Sequence, residues 1–152
     1  MYQKQIERII IHHTYSQDNP KKIDWDSIRQ YHLNKGWNDI GYHYGIEKAE
    51  GVYKIVRGRP DYIIGAHCEG YNQNSLGIAV VGNFDVTEPP KKLYETLARL
   101  CCSKIKKFGD IPIEPHNKYS EKTCPGKKFD MDRLINLMNY LNLKTGDWPS
   151  NT

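Results

Sequence analysis

The chain has 152 residues, 38% of them apolar and 26% charged, with a formal net charge of +4 and a mean hydropathy of −0.74. That length suits a single domain with its own core, and no apolar run approaches the roughly 18 residues a membrane-spanning helix needs. The basic excess is compatible with a polyanionic partner, nucleic acid or anionic cell wall, and equally with an ordinary solvated surface.

Residues 5–11 end in three isoleucines and predict a buried strand. Residues 24–35 predict a helix with Ile28, Tyr31 and His32 on one side, stopped by Gly36. Residues 42–47 and 52–56 predict two short strands around Lys48-Ala49-Glu50-Gly51, a hairpin signal. Residues 75–81 predict a continuous apolar strand closed by Gly82-Asn83. Pro89-Pro90 opens a second helix, and Leu93, Leu97, Leu100, Cys101, Ile105 and Phe108 share one face of it before Gly109. A short strand is expected at 111–113. Asp130 caps a third helix bearing Met131, Leu134, Ile135, Met138 and Leu141. Residues 144–152 have no periodicity and are expected to be a tail or the start of a linker, leaving 1–143 as the domain. The alternation of strands and helices, interrupted by one hairpin, predicts an α/β fold with a single mixed central sheet flanked by helices on both faces. Ligands of such sheets bind where loops gather at strand ends.

The four cysteines, at 68, 101, 102 and 124, do not form the framework of a disulfide-stapled miniprotein. Cys101 and Cys102 lie inside a helical pattern, and at least one is expected to fill core; a disulfide at Cys68 stays open. The first residues lack the apolar core of a signal peptide. Synthesis in the cytoplasm is therefore expected, unless a signal lies outside this sequence or export takes another route.

His12 follows one apolar strand, His116 follows a second, and Cys124 lies eight residues further on, before Pro125. Zinc takes imidazole and thiolate ligands tetrahedrally, and three protein ligands leave the fourth position for water. Zinc lowers the pKa of such a water to about 7. A lone histidine after a strand is more often a surface or core residue, and a lone cysteine is usually inert packing. Spacing alone leaves both readings open. Lys122, two residues before Cys124, could stabilise an oxyanion or be one more solvated lysine beside Lys118, Lys127 and Lys128. Tyr42 could hydrogen-bond a water or a tetrahedral intermediate, or be a core aromatic.

Ile10-Ile11-His12-His13-Thr14, Gly36-Trp37-Asn38-Asp39-Ile40-Gly41-Tyr42 and Gly65-Ala66-His67 together resemble the family of peptidoglycan recognition proteins and phage lysozyme-amidases. Asn74-Ser75-Leu76-Gly77-Ile78, and His116 followed by Lys122-Thr123-Cys124-Pro125, extend the resemblance in the family's order from about residue 9 to 134. The resemblance implies a mixed sheet flanked by helices, a groove holding zinc, and hydrolysis of the amide between N-acetylmuramic acid and L-alanine. It implies His12, rather than His13, with His116 and Cys124 as the zinc ligands, and Tyr42 and Lys122 as catalytic residues. His67 and Trp37 match positions near the substrate groove. His13 is left as a supporting or a packing residue.

Some members of that family only recognise peptidoglycan and typically lack the cysteine ligand, so Cys124 favours the enzyme. The implied partner is peptidoglycan. No nucleic acid is expected, because no recognisable nucleic-acid-binding module is present, and a monomer is expected. A phage endolysin, a prophage copy and a bacterial autolysin all fit. The endolysin is preferred, reaching the wall through a holin or a similar route, with a separate wall-binding domain expected beyond the tail.

Overall fold

The computed structural model describes residues 1–3, 5–15 and 23–145. In chain order the elements are β1 (Arg8–His13), α1 (Trp25–Asn34), β2 (Tyr44–Ala49), β3 (Val52–Arg57), β4 (Ser75–Val80), α2 (Lys91–Phe108), β5 (Ile113–Pro115) and α3 (Met131–Thr145). The strands form one sheet in the order β3-β2-β4-β1-β5. Its β1/β4, β1/β5 and β2/β4 pairs are parallel, and β2/β3 is antiparallel. This is the mixed α/β sheet expected.

Strand alternation decides what each face carries. Ile9 and Ile11 share a core with Leu76, Ile78, Val80, Tyr44 and Ile46, which α2 and α3 cover through Leu93, Leu97, Cys101, Ile105, Leu134 and Met138. On the opposite face α1 packs through Trp25 against Ile40 and Ala79. Trp25 lies directly over Gly45, where a Cβ would come within 2.3 Å of the indole. Its Nε1–H donates to the Arg57 carbonyl at 2.8 Å. The face of α1 was therefore only partly as expected: Ile28 and His32 turn inward, but Tyr31 is 62% exposed.

Several boundaries move, each for an identifiable reason. β1 begins later than the expected strand and runs past Ile11, because its six-position parallel ladder continues to His12↔Ala79 and His13↔Val80. Both histidines are thus part of the strand rather than its sequel. The hairpin closes more tightly than the four-residue connection expected. Glu50 and Gly51 both have positive φ, 53° and 79°, the two-residue turn that matches strand twist. β5 lies at Ile113–Pro115 instead of 111–113, set by its pairing with Ile9 to Ile11. Asp130 caps α3 by accepting from the Arg133 N–H at 3.0 Å. α3 extends to Thr145, two residues into the expected tail; residues 146–152 lie outside the described residues. All four cysteines are free, so no disulfide forms at Cys68.

Candidate active site

His12 stands on the α1 face of β1, near the carboxyl ends of the parallel strands. His13 points to the opposite face, where its Nδ1 accepts from the Phe84 N–H at 3.1 Å and its ring lies 6.4 Å from that of Phe84. The period of two along a strand thus separates the adjacent histidines. His116 opens a single 3₁₀ turn straight after β5, and its ring centroid is 4.4 Å from that of His12.

Cys124 is brought in by a loop tied down at several points. Asp85 accepts from the Thr123 hydroxyl at 2.8 Å and from the Lys127 N–H at 2.9 Å. The Asn117 N–H donates to the Cys124 carbonyl at 2.7 Å, and the Lys128 N–H to the Phe84 carbonyl at 2.8 Å. The Asp85 carboxyl sits below its ordinary range: desolvation pushes it up, but the Lys127 and Thr123 hydrogen bonds outweigh that.

The ligand atoms of His12, His116 and Cys124 all lie within 4.8 Å of one another. His12 Nδ1 is 3.7 Å from Cys124 Sγ. Zinc–nitrogen bonds of about 2.0–2.1 Å and a zinc–sulfur bond of about 2.3 Å give a tetrahedral N···S edge of about 3.6 Å. The donor set and this edge therefore fit zinc. The Cys124 sulfur also accepts from the His13 backbone N–H at 3.3 Å, so His13 serves the site through its main chain and the core through its ring.

Without a metal, burial holds the groups of the site in their neutral forms. Burial, then the neighbouring imidazoles of His67 and His116, holds His12 well below the usual histidine range. Burial and the Lys122 ammonium lower His116. Burial pushes the Cys124 thiol up to about 12, against the downward pull of the His13 N–H and of Lys122. Burial, and secondarily Cys124, raises Tyr42, which stays a protonated phenol at neutral pH.

A cavity of about 1070 Å³ opens over the cluster, lined by all the predicted site residues: His12, Trp37, Tyr42, His67, His116, Lys122 and Cys124. The Tyr42 ring lies 5.2 Å from that of His12. Trp37 packs against His32 with the rings tilted by 40° and their centroids 4.5 Å apart, and Lys35 Nζ lies 4.6 Å from the Trp37 ring. Lys122 is exposed, and among the described residues no carboxylate pairs with it. His67 reaches the cavity, but both its ring nitrogens face protein atoms, His12 Nε2 at 2.9 Å and Ser75 Oγ at 3.2 Å. Sequence reasoning did not single out Asp85, Asn72 or Ser75. Asn72 Oδ1 accepts from the His67 and Cys68 N–H groups at 2.9 Å each, holding the loop that carries His67. A side-chain amide five residues after a loop histidine is the sort of local cap that could have been suspected.

Residues 2–127 match the family model for N-acetylmuramoyl-L-alanine amidase. The chain is 34% identical over 112 residues to an endolysin of Escherichia phage T7, covering 70% of each protein. It is 33% identical over 127 residues to peptidoglycan-recognition protein LB of Drosophila melanogaster, covering 78% of this chain and 53% of that one. In three dimensions it resembles the N-acetylmuramoyl-L-alanine amidase LysC from Clostridium intestinale URNW, with a TM-score of 0.79, 28% identity, and 89% and 86% of the two chains covered. The chain belongs to the N-acetylmuramoyl-L-alanine amidase family.

Proposed function

We propose that the chain is a zinc-dependent N-acetylmuramoyl-L-alanine amidase that cuts the amide between the lactyl group of N-acetylmuramic acid and L-alanine, acting as the catalytic domain of a phage or prophage endolysin. The observation that carries this reading is the His12, His116 and Cys124 cluster, with ligand atoms within 4.8 Å, on the wall of a cavity of about 1070 Å³. Family membership and the endolysin relatives support it.

Zinc bound at this cluster would supply Lewis acidity toward a carbonyl and activate water at neutral pH. The chain's own residues do the rest. The Lys122 ammonium, which no carboxylate among the described residues pairs with, meets the negative charge that develops on the attacked carbonyl oxygen. The Tyr42 phenol, protonated at neutral pH and lining the cavity, offers a hydrogen bond there. Trp37 gives the substrate an apolar wall.

Metal uptake tests the ligand set directly. At pH 7.5 the histidines are already neutral while the thiol still holds its proton, so the thiol is the one ligand that zinc must deprotonate. Calorimetry in buffers of different ionisation enthalpy is expected to show between about one and two protons released per zinc bound, one from the thiol and the rest from a metal-bound water whose pKa falls to about 7. Affinity should rise at least about tenfold per pH unit through neutrality, since higher pH removes the competing proton. Uptake without proton release, or no uptake by metal-free protein, would count against Cys124 as a ligand.

A further inference from the structure

Behind His12 runs a chain of hydrogen bonds whose directions follow from chemistry alone. Ser75 Oγ lies 2.6 Å from the Tyr71 carbonyl. A carbonyl only accepts, so the hydroxyl proton goes there. The same Oγ lies 3.2 Å from His67 Nε2 and has only lone pairs left, so His67 Nε2 must donate. The His67 ring is boxed in by the rings of His12 at 4.9 Å and His43 at 5.8 Å. Among the described residues no carboxylate pairs with it to hold a second proton. Its Nδ1 is therefore a lone pair, and it faces His12 Nε2 at 2.9 Å.

We infer that the Tyr71 carbonyl, Ser75 and His67 form a one-way chain that keeps the His12 proton on Nε2 and turns the Nδ1 lone pair toward His116 and Cys124. His67 and Ser75 are then positioning residues that prepare a metal ligand, rather than polar contacts for substrate. The inference rests on the zinc reading above. A ligating imidazole commonly has its other nitrogen fixed by such a partner, which sets tautomer and ring orientation.

Two further observations fit this role. Ser75 is fully buried in an otherwise apolar strand, where a hydroxyl is costly without defined partners. Gly77, also in β4, leaves the space for the ring: a Cβ there would stand 2.5 Å from His67 Cγ.

The test combines ring ¹⁵N NMR of the metal-free protein with zinc affinity measured against a competing chelator. In the wild type, His12 and His67 should both show the Nε2–H tautomer. His67→Phe removes the acceptor and should weaken zinc binding about 10–100-fold. His67→Gln, whose amide can accept from His12 and donate to Ser75, should recover most of that loss. Ser75→Ala should give a mixed His12 tautomer with the fold intact by circular dichroism. An Nδ1–H tautomer at His12 in the wild type, or zinc binding as tight in folded His67→Phe and Ser75→Ala as in the wild type, overturns the chain. A wild type that shows the expected tautomers but takes up no zinc overturns the metal reading, and with it the purpose assigned to the chain.

Discussion

Replacing Cys124 with Ala is expected to abolish release of soluble wall fragments while leaving the protein folded and still able to sediment with insoluble peptidoglycan. The thiolate is the one anionic donor in the proposed set, and two neutral imidazoles hold zinc far more weakly. The fold should survive, because Cys124 sits in a loop anchored by Asp85, Asn117 and Lys128 through contacts that do not involve the sulfur. The rest of the cavity lining, including Trp37 and Tyr42, is untouched. The variant therefore separates cutting from recognition, the distinction that relatives among the peptidoglycan recognition proteins make pressing. Turbidity loss of purified walls, measured beside sedimentation, reads both. A Cys124→Ala protein that clears walls at the wild-type rate would refute a zinc-dependent mechanism.

Lys122→Ala should lower kcat by about 10²-fold, at the lower end of what a single oxyanion-stabilising group supplies, since the side chain is exposed in the free protein. The proposed zinc ligands should stay in place, because Lys122 acts on them only through its field: it lowers His116 and Cys124 without bonding to either. KM should change little if the ammonium acts on charge that appears only in the transition state. Steady-state kinetics on a soluble muropeptide, with zinc content measured on the same sample, check this. An unchanged kcat would return Lys122 to the solvated lysines around it, and a parallel loss of zinc would make it a structural support.

The fold was legible because its apolar residues carry clear periods. The face of α2 from Leu93 to Ile105 and that of α3 from Leu134 to Met138 bury as their spacing dictates. Length was less legible than type. The three isoleucines announce β1, but its last two residues are histidines, and only the pairing of His12 and His13 with Ala79 and Val80 makes them strand. Tyr31 shares a helical face with Ile28 and His32 by spacing, yet Trp25 makes the contact with the sheet and Tyr31 is left exposed.

At the site, spacing showed the residue types, and only the family resemblance joined them into one set. His12 lies 112 residues before Cys124; the β1/β5 pairing carries His116 to it, and the Asp85 clamp, 38 residues from its Thr123 partner, holds the Cys124 loop in place. His67 shows the limit of reading by position. It does border the cavity, but its nitrogens are engaged by His12 and Ser75, and the serine hydroxyl is hidden within what reads as an apolar strand.

The most direct measurement of the central claim is mass spectrometry of purified walls digested with the protein. Free lactyl ends on N-acetylmuramic acid are expected together with new L-alanine amino termini, in equal amounts, and both should be absent after treatment with a chelator. New reducing sugar ends, or cleavage within the stem peptide with the lactyl amide intact, would contradict it.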